Sequence, residues 1–140
     1  MDERYDITIK DCSGFDAEAM LRLYSSVGWT AYTRDPDTLM RGLAGSLLAI
    51  GAFDGDELIG LIRVVGDAAT IICVQDILVD PAYQRRGVGR RLMQAVLDRY
   101  GSVRQFVLCS DDSPEANAFY RAMGLKPMPE LGCVGWIRMK

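Results

Sequence analysis

The sequence predicts one α/β domain of the α+β type, in which helices cover both faces of a mixed sheet of about seven strands. A length of 140 residues, 49% of them hydrophobic, suits one ordinary globular domain. Segments with strand and helix periodicity alternate along the whole chain. There is no internal repeat, low-complexity tract or linker, so the predicted domain spans residues 1–140.

The first third of the chain predicts one strand and two helices. Alternating apolar residues predict a strand over 5–9. Apolar residues at helical spacing then predict a helix over 15–27, which Gly28 ends. Asp35 followed by Pro36 is typical of the start of a second helix.

A hairpin comes next. The apolar runs 47–53 and 58–65 flank Asp54, Gly55 and Asp56. An Asp-Gly pair between such runs is a strong local signal for a turn, because both residues tolerate a positive φ.

The run 70–79 is predicted to be a central strand of the sheet, because it is apolar on both faces. Gln75 and Asp76 are the exceptions. Polar side chains in a buried strand need partners, which makes these two residues candidates for a functional site.

The remaining segments predict two helices and three strands. The helix after the central strand begins at Gly87 and ends at Gly101, and Ser113 with Pro114 opens the last helix. The predicted strands cover residues 106–108, 125–128 and 133–139.

Composition excludes several classes of protein. A net charge of -3 disfavours a nucleic-acid binder, which needs a basic excess. Because the chain has no histidine, histidine-based triads and the usual zinc spacings are excluded, and we expect no metal. No apolar run approaches the roughly 20 residues that span a bilayer. Four separated cysteines and the lack of a signal peptide predict a cytoplasmic protein.

A local cationic segment opens the helix that follows the central strand. Two glycines allow the backbone to approach a ligand closely, and free N–H groups at a helix N-terminus bind anions. The arginines and glycines of this segment are Arg85, Arg86, Gly87, Gly89, Arg90 and Arg91. They predict a phosphate site; the alternative is a solvated basic face. The segment matches neither the Walker phosphate-binding loop nor the dinucleotide-binding fingerprint. In the fingerprint, Leu92 stands where the third glycine is required.

Residues 77–89 resemble the cofactor motif of the GNAT acetyltransferase superfamily, which reads Gln/Arg-x-x-Gly-x-Gly/Ala after a hydrophobic strand. Gln84, Gly87 and Gly89 match it, and the run 117–120 followed by Gly124 matches a second feature of the family. The resemblance implies a mostly antiparallel sheet with two splayed strands and acetyl-CoA as co-substrate. The residues it implies for cofactor binding are Ile77, Leu78, Val79, Gln84, Arg85, Arg86, Gly87, Val88, Gly89, Arg90, Asn117 and Tyr120.

The same resemblance implies an N-acetyltransferase that moves an acetyl group to a primary amine of a small molecule or peptide by direct attack in a ternary complex. It implies that the backbone N–H of Ile77 or its neighbour stabilises the oxyanion and that Tyr120 gives a proton to the departing thiolate. The alternative for Tyr120 is an aromatic residue that only packs in the core. Relatives often have a glutamate base on the central strand, where this chain has Gln75 and Asp76. Asp76 is therefore either the base or a structural or ammonium-binding carboxylate.

Trp29, Tyr32 and Gln75 are candidate residues for binding the acceptor, although aromatic residues after a helix are as often a lid over the core. A non-catalytic acyl-CoA sensor or partner-binding module is the alternative function. A homodimer is possible, and the apolar run 134–139 would be either its interface or an interior strand.

Overall fold

Five strands form one mixed sheet in the order β1-β2-β3-β4-β5 in the computed structural model, which describes residues 6–140. Tyr5, part of the first predicted strand, lies outside the described residues. The chain divides into two compact units, one up to Cys109 and the other Ser110–Lys140. The single domain predicted over residues 1–140 stays a prediction.

The first unit contains the sheet and four helices. The strands are β1 (Ile7–Asp11), β2 (Leu48–Asp54), β3 (Glu57–Gly66), β4 (Ile71–Val79) and β5 (Gln105–Leu108). The helices are α1 (Ala17–Ser26), the single turn α2 (Thr30–Thr33), α3 (Pro36–Ala44) and α4 (Val88–Tyr100), with a 3-10 turn at Pro81–Tyr83. Strands β1 to β4 pair antiparallel, and β4 pairs parallel with β5.

The local sequence signals are confirmed. Asp16 and Asp35 cap α1 and α3 through their side chains, and Gly28 follows α1 with a φ of 74°. Gly55 has a φ of 61° in the turn between β2 and β3, as the Asp-Gly pair predicted. The segment after Gly28 forms the single turn α2.

Helices cover both faces of this sheet. Leu61 and Leu78 belong to a buried cluster with residues of α1 and α3. On the opposite face, a Cβ added to Gly60 would lie 3.4 Å from a methyl carbon of Leu92 in α4, so this helix packs closely there. The core therefore has two layers, one on each side of β3 and β4.

A β-bulge interrupts the pairing of β3 with β4. Arg63 pairs with Asp76 and Val64 with Val74, so Gln75 is an extra residue in β4. The side chains of directly paired residues lie on the same face of the sheet, and successive side chains along β3 lie on opposite faces. Asp76 therefore lies on the α1 face and Val74 on the α4 face.

The expectation of about seven strands is wrong, because the sheet of the described chain has five. In the second unit, residues 125–128 are not a strand: a 3-10 turn covers Met128–Leu131, and Pro127 and Pro129 have no N–H to donate to a ladder. Residues 133–139 have no regular secondary structure. Their apolar composition alone does not make a strand, since a strand requires a neighbour.

The second unit contains the predicted helix α5 (Pro114–Ala122). Ser113 caps it by accepting a hydrogen bond from the N–H of Ala116 at 3.2 Å, and Pro114 occupies the first helical position. Across residues 6–140, every helix is too short or too polar to cross a membrane.

Candidate functional site

The junction between β4 and α4 exposes the N-terminus of a 13-residue helix. Gly87 precedes it with a φ of 79°, a left-handed conformation in which it provides no side chain to cap the helix. Arg85 also has a positive φ, 63°. A Cβ at Gly87 would meet no atom within 4 Å, so the space beside this residue is open. The first N–H groups of α4 can therefore receive an anionic ligand.

Hydrogen bonds hold the turn that leads into α4. Asp80 accepts from the N–H of Ala82 at 2.9 Å. The side-chain amide of Gln84 donates to the carbonyl oxygen of Val79 at 3.0 Å. Gln84, the first residue of the matched motif, thus ties the turn back to the end of β4 and fixes where the helix starts.

The arginines at this junction have different surroundings. Arg91 donates from Nη1 to the carbonyl oxygen of Ile7 at 3.0 Å and so links α4 to β1. Arg85, Arg86 and Arg90 are exposed around the helix N-terminus. Positive charges at a helix N-terminus interact unfavourably with the helix dipole, and a bound anion would offset this repulsion.

The second half of β4 extends past the end of β5. Within residues 6–140, the parallel pairing ends where Val74 meets Leu108. The five residues Gln75–Val79 continue β4 toward α4 with β3 on one side. An edge of this kind can pair with an extended ligand through backbone hydrogen bonds. Ile77, Leu78 and Val79 all lie in this part of β4.

Asp76 is the centre of a buried polar network. Its side chain accepts hydrogen bonds from the hydroxyl groups of Tyr24 at 2.9 Å and Tyr32 at 2.8 Å. Arg63 donates from Nε to the same carboxylate at 2.6 Å. Asp76 is 4% exposed and Arg63 7%. A carboxylate with an arginine and two hydroxyl partners has few lone pairs left for another proton donor.

The pKa values of its partners reflect the same network. Burial, followed by the negative charge of Asp76, raises the pKa of Tyr24 well above its ordinary range. Burial alone would lower the pKa of Arg63, but the hydrogen bond and charge of Asp76 raise it. Both residues are thus held in the protonated state.

The candidate acceptor residues surround the outer side of this network. Trp29 and Tyr32 are half-buried, with ring centroids 6.3 Å apart, and both contact the ring of Tyr24. The amide of Gln75 donates to the Tyr32 hydroxyl at 3.5 Å. The bulge therefore brings Gln75 to the same hydroxyl that binds Asp76. These aromatic rings both close the core and present a partly exposed wall.

Asn117 and Tyr120 lie on α5 in the second unit. Burial, followed by the charge of Asp111, raises the pKa of Tyr120. Its ring packs edge-to-face on Phe119, with the centroids 5.0 Å apart. Asn117 donates from its amide to the carboxylate of Asp112 at 3.1 Å. A tyrosine with a raised pKa keeps its proton at neutral pH, as a proton donor must.

Arg63 and Tyr24 belong to the network around Asp76 but were not predicted as site residues. Arg63 is the one charged residue inside β3 after Glu57, in a strand that is otherwise apolar or glycine. A buried charge needs a partner, so this isolated arginine was a signal that could have been paired with Asp76.

Comparison with known proteins identifies relatives over most of the chain. The profile of the "Acetyltransferase (GNAT) family" matches residues 15–125. A solved GNAT family acetyltransferase from Streptococcus pneumoniae TIGR4 superposes with a TM-score of 0.86 and 36% identity, covering 96% of this chain and 98% of that chain.

Two curated relatives are similar in sequence. An "uncharacterized N-acetyltransferase ycf52-like" protein of Prochlorococcus marinus is 28% identical over 96% of this chain and 76% of its own length. A mycothiol acetyltransferase of Clavibacter sepedonicus is 40% identical over 61% of this chain, a match that spans only 27% of the relative.

Proposed function

Because the chain belongs to the GNAT acetyltransferase family, we propose that it transfers the acetyl group of acetyl-CoA to a primary amine of a small molecule or peptide. The observation that carries this proposal is the junction of β4 and α4, where an open, glycine-led helix N-terminus follows directly on a strand edge that β5 leaves uncovered. A phosphate-bearing, extended co-substrate suits both features.

In this proposal the pyrophosphate of the co-substrate binds the N–H groups at the start of α4. Arg85, Arg86 and Arg90 neutralise its charge, and Gly87, Val88 and Gly89 supply the backbone. Gln84 positions the turn through its bond to Val79. The pantetheine amides pair with Ile77, Leu78 and Val79 of β4 as an added strand.

Acetyl-CoA supplies the activated thioester, and the chain binds and orients the reacting groups. The N–H of Ile77 donates to the oxyanion that develops when the amine attacks. Tyr120 gives its proton to the departing thiolate, a proton that the phenol holds at neutral pH. Asn117, one turn earlier on α5, contacts the co-substrate.

The acceptor amine enters beside Trp29, Tyr32 and Gln75. Of the two roles considered for Asp76, its hydrogen bonds favour the structural one: it fixes the hydroxyl of Tyr32 at the acceptor wall. The amine then arrives neutral or loses its proton through water.

Isothermal titration with acetyl-CoA, and with dephosphorylated pantetheine as the comparison, tests the proposal. Micromolar binding that depends on the pyrophosphate is expected, followed by turnover with an amine library. Binding without turnover on any amine would favour the acyl-CoA sensor. If neither compound binds, the proposal fails.

Gly89→Glu tests the phosphate site directly. It places a carboxylate in the first turn of α4, where the pyrophosphate is proposed to bind. We expect acetyl-CoA affinity to fall at least tenfold, or about 1.4 kcal/mol, by titration calorimetry. Gln94→Glu, which adds the same charge to an exposed position of α4, should leave affinity unchanged. If both variants bound acetyl-CoA with the same affinity, the proposed phosphate site would be contradicted.

Asp76→Asn tests the role of Asp76. If Asp76 is structural, the acidic limb of the pH–rate profile should keep its midpoint, while the urea midpoint of unfolding falls because Arg63 loses its counter-ion. Loss of the acidic limb with an intact fold would instead make Asp76 the base.

A further inference from the structure

The 3-10 turn between β4 and α4 is held against the neighbouring hairpin of β2 and β3. The hydroxyl of Tyr83 donates a hydrogen bond to the carboxylate of Asp54, the last residue of β2, at 2.6 Å. The N–H of Asp80, just before the turn, donates to the carbonyl oxygen of Ile59 in β3 at 2.8 Å. Both Tyr83 and Asp54 are half-buried, and hydrogen bonds to a carboxylate are stronger than those between neutral groups. The turn is therefore attached to a neighbouring strand at each end.

The loop that follows, residues 84–87, has an unusual backbone conformation. Arg85 has a φ of 63° and Gly87 a φ of 79°. Glycine adopts a positive φ freely, but a side chain such as that of arginine makes this conformation unfavourable. A residue other than glycine stays in it where the surrounding structure fixes the backbone. Tyr83 lies two positions before Arg85, so its bond to Asp54 is a contact that can fix the start of this loop.

The body of α4 has separate support. Val88 and Leu92 are only 2% and 0% exposed, because this side of the helix is packed into the core. Loss of the bond between Tyr83 and Asp54 should therefore free the loop 84–87 while the helix stays in place. Ligand binding at the loop should then change more than the fold does.

We propose that Tyr83 and Asp54 are positioning residues for the pyrophosphate of the co-substrate. This inference rests on the proposed function, in which the pyrophosphate binds at the start of α4. The bond between hydroxyl and carboxylate keeps the loop 84–87 in one conformation, so that the pyrophosphate meets N–H groups that are already in place. Without the bond the loop occupies several conformations, and the apparent affinity falls by the fraction of molecules that remain competent to bind. Neither side chain need contact the co-substrate.

Titration calorimetry with acetyl-CoA tests the two residues. Tyr83→Phe and Asp54→Ala should each lower the affinity about tenfold with the circular dichroism spectrum unchanged, since a hydrogen bond to a charged group favours one conformation by this factor or more. The double variant should bind no more weakly than either single variant, because all three lack the same bond. Asp54→Asn keeps an oxygen that can accept from the hydroxyl and should lose less. Asp56→Ala removes the same charge from an exposed position of the hairpin and should bind as the unaltered chain does.

Competition against acetyl-CoA separates the loop from the rest of the site. Tyr83→Phe should weaken competition by inorganic pyrophosphate about tenfold and leave competition by pantetheine unchanged, because pantetheine is proposed to bind along β4. Equal acetyl-CoA affinity for Tyr83→Phe and the unaltered chain, or an equal loss for Asp54→Ala and Asp56→Ala, overturns the positioning role. A loss of pantetheine competition as large as that of pyrophosphate also overturns it, since the bond would then support the whole site. If the unaltered chain binds no acetyl-CoA, the proposed function itself fails, and that result is obtained before any variant is compared.

Discussion

Arg63→Met is expected to lower the free energy of unfolding by about 3–5 kcal/mol. The substitution removes the guanidinium that donates to Asp76 at 2.6 Å and leaves that carboxylate buried with only two tyrosine hydroxyls. Urea unfolding followed by circular dichroism measures the change.

Two variants control this result. Arg99→Met breaks the exposed pair with Asp11, which spans 3.0 Å, and exposed pairs contribute only about 0–1 kcal/mol. The double variant Arg63→Met with Asp76→Leu removes both buried charges and should recover much of the loss. If Arg63→Met costs no more than Arg99→Met, water reaches the pair, and the buried network stabilises the fold no more than an exposed ion pair does.

Tyr120→Phe is expected to lower kcat by about 100-fold or more, with acetyl-CoA affinity unchanged. The hydroxyl is proposed to protonate the leaving thiolate, a step that binding does not require. Because burial and Asp111 raise the pKa of Tyr120, the proton is present at neutral pH and is lost only as the pH rises above the ordinary tyrosine range. The rate of the unaltered enzyme should therefore fall in strongly basic solution. The pH–rate profile of Tyr120→Phe should lack this decrease at high pH.

Tyr100→Phe is the matched control, since it removes a hydroxyl from another half-buried tyrosine, at the end of α4. Its kcat should be unchanged. If the two variants have the same kcat, Tyr120 is a packing residue beside Phe119.

Elements with local signals could be predicted closely. The hairpin at Gly55, the capped starts of α3 and α5, and the helix after Gly87 all depend on residues within a few positions of one another. Turn and cap chemistry is short-range, so a single sequence contains it.

Long-range pairings could not be predicted. The bond between Arg63 and Asp76 depends on the register of β3 and β4, including a bulge that no local pattern announces. Whether residues 133–139 form a strand depends on which strand lies beside them, so their apolar composition predicted a strand that the described sheet does not contain.

The bulge at Gln75 has a consequence for how the chain can change. Without Gln75, Val74 and Asp76 would be neighbours, and simple alternation would still direct one to the α4 face and the other to the α1 face. Deletion of Gln75 therefore keeps the placement of the side chains on both sides of it, because it restores simple alternation along β4. Gln75 can therefore be replaced or removed while the rest of β4 keeps its packing, so the strand tolerates variation where the acceptor is proposed to bind.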